Sequence, residues 1–333
     1  MRPMSDASPR DPLASIRKPV ASEMDAVEAL LRTTLETDLP DVAALRDRVA
    51  ACGGKRLRPL LSLLVGFALG RLGEGHVRLA AALELIHAAT LVHDDVIDEA
   101  RVRRGAPTLN DGRGNEAAVL FGDFVYARAM RLLSDFDDLS VIRDVSRAAC
   151  QICEGELAQV LRSRDPGLSR EDYLRIVRRK TASLYRAAAG IAAHLSVSAA
   201  PVRETLETFA EDLGIAFQIV DDCLDLDGDE SEVGKSLGTD LLKGKPTLPV
   251  LCALERASPA DRARLEAWIR DPAGAPSRSE ARGLVERAGG IACAREEAER
   301  LLSGAVRRLG GIGDRVDVSS LEAFAVIAVR RSR

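Results

Sequence analysis

Residues 83–98 read LELIHAATLVHDDVID, and residues 209–225 repeat the theme as FAEDLGIAFQIVDDCLD. In both, apolar residues recur at three- and four-residue spacing, the period of a helix that buries one face. Each stretch closes on the pattern DDxxD. At about 100° per residue, Asp94 and Asp98 lie roughly 40° apart on one face and about 6 Å apart along the axis, with Asp95 flanking them. Asp221 and Asp225 repeat the spacing, and Gln218 one turn earlier places Gln218, Asp221, Asp222 and Asp225 together. One DDxxD is most often a solvated acidic face. Two of them, each ending a strongly apolar helix, are harder to dismiss, because carboxylates at a helix C-terminus oppose the macrodipole and repel one another. Hard oxygen ligands of this kind suit Mg²⁺, which bridges a few carboxylates to substrate phosphates. A diphosphate held between facing clusters is the implication.

The helical period extends outward over most of the chain, with abundant Ala, Leu, Arg and Glu and only 3% aromatics, so the spacing predicts an all-α fold. Predicted helices run from Met24 to Arg330, including Leu139 to Ser163, Arg170 to Leu195 and Val202 to Leu226. Gly and Pro clusters such as Gly53-Gly54, Gly73, Asp165-Pro166-Gly167 and Ala200-Pro201 punctuate them. No longer repeat supports an ancestral doubling.

Composition narrows the function classes. A chain of 333 residues with 46% apolar and 29% charged content buries a large core and keeps a solvated surface. A net charge of -4, with both signs mixed, provides no basic field for nucleic acid. The run Leu60 to Gly70 is well short of the ~20 residues that span a bilayer, so no transmembrane segment is expected. Pro3, Pro9, Pro12 and Pro19 stand among polar residues with no signal-like apolar stretch, which predicts a flexible tail over 1–22, one all-helical domain over 23–333 and a cytoplasmic protein. Six cysteines lack disulfide-framework spacing. Cys150-Gln151-Ile152-Cys153 has no second pair for a metal, and Gly310-Gly311-Ile312-Gly313 reads as a turn because no strand precedes it.

A diphosphate site also needs cations. GGKRLRP at Gly53 to Pro59 places Lys55 and Arg58 at a helix entrance, and Arg103-Arg104 follows the first cluster. His87 lies seven residues before Asp94, close to the same face, although a helical His is often a core residue and Glu84 offers it a partner at i-3. His93 reads as a support for the cluster. Lys180-Thr181, Lys235 and Lys245 are individually ordinary, but each sits where it could face the second cluster.

These motifs resemble the trans-type polyprenyl diphosphate synthases, particularly the bacterial long-chain, octaprenyl-like group. The resemblance runs from about Gly53 to Pro249. It rests on GGKRLRP, HDDVIDEARVRRGAPTLN (His93 to Asn110), GDFVYARA (Gly122 to Ala129), FQIVDDCLD (Phe217 to Asp225) and GKSLGTDLLKGKPTLP (Gly234 to Pro249). It implies the isoprenoid synthase fold, an antiparallel helical bundle around a deep central cavity with the two clusters across its mouth. By resemblance, Asp94, Asp98, Asp221 and Asp225 associate with magnesium, supported by Asp95 and Asp222. Arg103, Lys180, Thr181, Gln218, Lys235 and Lys245 match the allylic-diphosphate side. Lys55, Arg58, His87 and Arg104 match residues holding isopentenyl diphosphate. The implied chemistry is ionisation of the allylic C–O bond, attack by the isopentenyl double bond and loss of a proton, giving a trans product. A homodimer is implied as well.

Members of this family that make short products often carry a bulky aromatic shortly before the first aspartates; here Ala89 and Thr90 occupy those positions. They predict an open cavity floor and a heptaprenyl to decaprenyl product, with quinone side chains its expected destination and a peripheral membrane contact for its release. Phe121, Phe124, Tyr126 and Met130 are alternative floor residues. Three rival readings are a shorter-chain farnesyl or geranylgeranyl diphosphate synthase, a class I terpene cyclase and a non-catalytic regulatory subunit. The paired DDxxD and the Lys55, Arg58, His87 set stand against the last two. Beyond Pro249 only helical periodicity is legible, and the basic end of the chain reads as a solvated helix terminus.

Overall fold

Helix follows helix along nearly the whole chain in the computed structural model, which describes residues 13–51, 54–103, 105–228, 238–274, 277–312 and 316–330. The first part comprises α1 (Ala14–Arg17), α2 (Ala21–Thr34), α3 (Pro40–Ala51), α4 (Leu57–Ala68), α5 (Glu74–Ile97), α6 (Leu109–Arg113), α7 (Asn115–Leu133) and α8 (Leu139–Leu161). There follow α9 (Arg170–Val177), α10 (Ser183–Leu195), α11 (Ala200–Asp227), α12 (Thr239–Leu242) and α13 (Leu248–Arg256). The last are α14 (Pro259–Arg270), α15 (Arg278–Arg287), α16 (Gly290–Leu309) and α17 (Ser319–Val329). The two DDxxD stretches close α5 and α11, the two longest helices.

Packing explains their central place. α5 lies against α2, α4, α7 and α10, while α11 lies against α10 and α16. One apolar core connects them, running from Leu13 to Val329. By length and composition α5 could cross a membrane, yet 61% of its most apolar window is buried inside the protein. A buried core helix passes the same test, and the helices around α5 supply the apolar surroundings that lipid would otherwise provide.

Three local features differ from the sequence-based expectation. The first is the N-terminus. Residues 1–12 lie outside the described residues, but the stretch predicted as a flexible tail is helical from Ala14, and a 3₁₀ turn at Lys18–Val20 leads into α2. Leu13, Ile16 and Val20 recur at helical spacing and are buried, and Pro19 sits at the start of its turn, where a missing N–H does no harm.

The second is a hairpin. Val102–Arg103 (β1) pairs antiparallel with Ala106–Pro107 (β2), and Gly105 turns the chain at φ 75°. The third lies in the segment predicted as one helix from Arg170 to Leu195. It is broken by a π turn at Arg178–Ala182, between α9 and α10. Gly155 of α8 and Gly214 of α11 flank this turn: a Cβ on Gly155 would stand 2.9 Å from the Cα of Lys180, and one on Gly214 would stand 2.7 Å from the Cα of Ala182. Only glycine admits so close an approach of two backbones. π turns concentrate at functional sites because the extra residue re-aims the side chains it carries.

Candidate active site

A cavity of about 1430 Å³ opens between α5, α8, the α9–α10 segment and α11. Asp94 and Asp98 border it from α5, and Asp221, Asp222 and Asp225 border it from α11. The two acidic clusters therefore share one space, as their sequence pattern suggested. Their members have different tasks. Asp95 is 7% exposed and does not face the cavity; its Oδ1 accepts from Arg103 Nε at 2.7 Å and pairs with Arg103 Nη2 at 2.6 Å. The hairpin thus folds Arg103 back over the helix end.

Asp98 Oδ1 pairs with Lys245 Nζ at 2.7 Å and Lys243 Nζ at 3.2 Å. Burial works against its ionisation, but the two ammonium groups hold its carboxyl below the usual range. Asp94 has the opposite balance. Burial pushes its carboxyl up to about 6 against the pull of Lys180, and Glu156 and Asp98 add repulsion. Lys180 Nζ meets Glu156 Oε2 at 2.5 Å and donates to Gln159 Oε1 at 2.8 Å. Lys180 and Lys245, expected beside the second cluster, thus serve the first.

The second cluster is braced from behind. Asp222 is 5% exposed; its Oδ2 accepts from the Tyr173 hydroxyl at 2.5 Å and its Oδ1 from Gln218 Nε2 at 2.8 Å. Gln218 Oε1 in turn accepts from the Thr181 hydroxyl at 2.8 Å. Burial and the neighbouring Asp240 push the Asp222 carboxyl up to about 8. Asp225 is also buried, and its Oδ2 accepts from the Asp240 backbone N–H at 3.2 Å.

Lys55, Arg58 and His87 border the same cavity. The Arg58 guanidinium lies over the Tyr185 ring, 4.7 Å from its centre, a cation–π contact that sets its direction. Arg56 between them also borders the cavity, but its guanidinium is committed to carboxylates. It adopts φ 49° at the start of α4 and binds Glu28 at 2.7 Å and Glu84 at 2.9 Å. Glu84, which lies three residues before His87, thus neutralises Arg56. His93 contacts the Val119 carbonyl at 3.1 Å, which fastens the first cluster to α7. Thr90 borders the cavity, whereas Ala89 is 2% exposed in the core and absent from the cavity wall. Phe121, Phe124, Tyr126 and Met130 likewise stand away from that wall. Arg104 and Lys235 lie outside the described residues.

Several residues of the site escaped the sequence reading. Glu156 and Gln159 stand one turn apart on α8, Tyr173 is one of three tyrosines in the chain, and Asp240 and Lys243 lie inside the Gly234–Pro249 motif, where the sequence pointed only to Lys235 and Lys245. Helical spacing marks Glu156 and Gln159 as a polar pair; nothing local marks Tyr173. Among the described residues no three His, Cys, Asp or Glu side chains converge on one ion. The carboxylates on the cavity, Asp94, Asp98, Asp221 and Asp225, are hard oxygen donors of the kind a divalent cation takes together with substrate phosphates. Asp94 and Asp222, costly to ionise where they stand, are the groups whose charge a nearby cation would favour.

An all-helical bundle with two carboxylate clusters and a set of cations around one central cavity defines an isoprenoid synthase. The chain belongs to the polyprenyl synthetase family, whose pattern matches residues 41–284. It is 36% identical to the octaprenyl diphosphate synthase of Escherichia coli (strain K12) over 321 residues, 96% of this chain and 99% of that one. It is 40% identical to the all-trans-nonaprenyl-diphosphate synthase (geranyl-diphosphate specific) of Rhodobacter capsulatus over 248 residues, 74% and 76% of the two chains. The crystal structure of a Caulobacter crescentus CB15 polyprenyl synthase, complexed with calcium and isoprenyl diphosphate, superposes with a TM-score of 0.91 at 32% identity, covering 99% of this chain and 100% of that one.

Proposed function

We infer that the chain is a prenyltransferase that condenses isopentenyl diphosphate with an allylic diphosphate into a long all-trans polyprenyl diphosphate. The observation that carries this reading is the placement of both aspartate clusters and of Lys55, Arg58 and His87 on one cavity. A terpene cyclase needs only one diphosphate subsite; here the second group of cations supplies another.

The residues divide the work. Lys55, Arg58 and His87, together with Arg104, receive the diphosphate of isopentenyl diphosphate. Arg103, Lys180, Thr181, Gln218 and Lys245, together with Lys235, surround that of the allylic substrate and stabilise the negative charge that grows as its C–O bond breaks. Asp94, Asp98, Asp221 and Asp225 would hold magnesium, which would supply further charge neutralisation at the departing diphosphate. Apolar wall residues such as Leu91, Ile152, Ile176 and Phe217 line the space left for hydrocarbon and keep water from the carbocation. Thr90, small and on the wall, leaves that space open, consistent with the octaprenyl and nonaprenyl products in the names of relatives.

We further propose one catalytic domain, a homodimer and a cytoplasmic location with peripheral membrane contact on product release. A continuous core supports the first. Support for the dimer comes from exposed Val119 and Leu120 on α7, large apolar side chains outside the cavity lining. Sedimentation of the wild type and of Leu120→Glu tests it: the variant should shift toward monomer, and a monomeric wild type refutes it. The reaction itself is tested with purified protein, isopentenyl diphosphate, magnesium and a series of allylic primers, followed by product sizing. Asp94→Ala or Asp221→Ala should remove most turnover with helicity intact. Magnesium-dependent activity retained in both would contradict the assignment.

A further inference from the structure

Tyr173 is buried on α9, and its hydroxyl begins a chain of hydrogen bonds that leaves its own element and comes back to it. Tyr173 donates to Asp222 Oδ2 at 2.5 Å, Gln218 donates to Asp222 Oδ1 at 2.8 Å, and Thr181 donates to Gln218 Oε1 at 2.8 Å. Tyr173 and Thr181 belong to one continuous segment, α9 followed by the π turn, whereas Asp222 and Gln218 stand one turn apart on α11. The chain therefore staples the segment to α11 at two places. Between the staples is the break in helical geometry, and beside the second is Lys180, whose ammonium reaches Glu156 and Gln159 on the adjacent α8.

A π turn can pass its extra residue along a helix, which would rotate Lys180 and Thr181 away from the cavity. Gly155 and Gly214 allow the turn to sit close to its neighbours, but contact with glycine supplies no directional bond. The hydrogen-bond chain does. Both Asp222 oxygens are engaged by protein donors, so this carboxylate acts as a strut. Asp221 and Asp225 stand on the same helix, within one turn of it.

We propose that Tyr173 is a positioning residue for the allylic-diphosphate half of the site, acting through Asp222 and Gln218 to hold Thr181 and Lys180 in register with Asp221 and Asp225. The proposal rests on the condensation reading, and it assigns to Tyr173 an effect on one substrate only. Lys55, Arg58 and His87 are carried by α4, its entrance and α5, and none of the four hydrogen-bonded residues belongs to those elements.

The test is Tyr173→Phe in the full-length protein, assayed with farnesyl diphosphate and isopentenyl diphosphate, alongside calorimetric binding of inorganic diphosphate with magnesium. The KM for farnesyl diphosphate and the dissociation constant for magnesium diphosphate should each rise about tenfold, the scale of one lost hydrogen bond to a charged group, while the KM for isopentenyl diphosphate stays within about twofold. In a cycle with Thr181→Val, the two substitutions should be non-additive, because they cut the same chain. Equal changes in both KM values, additive effects, or a variant that loses only thermal stability or cannot fold would overturn the proposal by making the hydroxyl a core group. Wild-type protein that binds magnesium diphosphate but makes no product would instead refute the condensation reading, and the binding comparison would still test Tyr173.

Discussion

Replacing Gly155 by alanine separates a helix-stability effect from a catalytic one. In a helix interior the change ordinarily stabilises by about 1 kcal/mol, because alanine has the higher helix propensity. Here the new Cβ would fall 2.9 Å from the Cα of Lys180 and 3.0 Å from the Cβ of Arg179. The nearest atom, the backbone N of Lys180, would lie 2.4 Å away, and non-bonded heavy atoms rest about 3.5 Å apart, so α8 and the π turn must separate by about 1 Å. Overpacking of that kind costs about 1–3 kcal/mol, which leaves net destabilisation between nearly zero and about 2 kcal/mol. The catalytic effect should be larger, since misplacing a catalytic group by about 1 Å lowers activity on the order of 10²-fold. Lys180 is the group displaced. Steady-state kinetics and thermal melting of Gly155→Ala measure both effects. Gly304→Ala is the control: it lies within α16 with nothing within 4 Å of the new Cβ, and it should gain stability with activity unchanged. A folded Gly155→Ala enzyme with kcat/KM within about twofold of wild type would refute the idea that this backbone contact sets the position of Lys180.

Three further outcomes follow from the geometry. Arg56→Ala strands Glu84, whose side chain is 8% exposed, and should cost about 3–5 kcal/mol in denaturant unfolding with its main effect on stability; an unchanged midpoint would show that Glu84 finds another partner. Thr90→Phe should shorten the product, read by chromatography of the dephosphorylated alcohols. Ala89→Phe should instead destabilise the fold by about 1–3 kcal/mol through core overpacking. Identical product lengths in wild type and Thr90→Phe would remove Thr90 from the length-determining wall. His76 is buried with its Nε2 on the Ala192 carbonyl at 3.1 Å and near the Ser196 hydroxyl, and burial lowers its pKa despite those bonds. A depressed histidine pKa means the unfolded chain takes up the proton first. Stability contributed by neutral His76 is complete above the unfolded value near 6.5 and declines as pH falls through that value toward the folded one. His76→Gln should flatten that part of the stability profile, measured by urea unfolding between pH 7 and pH 5; an unaltered slope would refute the assignment.

Helical wheel geometry carried more of the chain-length question than the choice of Ala89 and Thr90 used. Thr90, one turn before Asp94, is about 40° from it around the axis, while Ala89 is about 140° away. The structure places Thr90 on the cavity and Ala89 in the core, as those angles require. Asp95, about 100° from Asp94, turns inward to Arg103 by the same logic. The N-terminal helix was also legible in Leu13, Ile16 and Val20, had the prolines been read as helix starts. By contrast, nothing near Tyr173 in the chain announced its bond to Asp222, and the two residues are 49 positions apart.

By itself, then, the sequence determined an all-helical chain, two DDxxD clusters at the ends of apolar helices, and the basic motifs that accompany them. These are consequences of local spacing, which acts within a few residues along one helix. Only the tertiary structure decided which cluster each cation serves: Lys180 and Lys245 came to the first, and Asp222 became a buried strut. Those outcomes depend on how each helix is rotated about its axis and on the π turn seated between Gly155 and Gly214. Packing between helices distant in sequence sets both, and no periodicity within one segment encodes them.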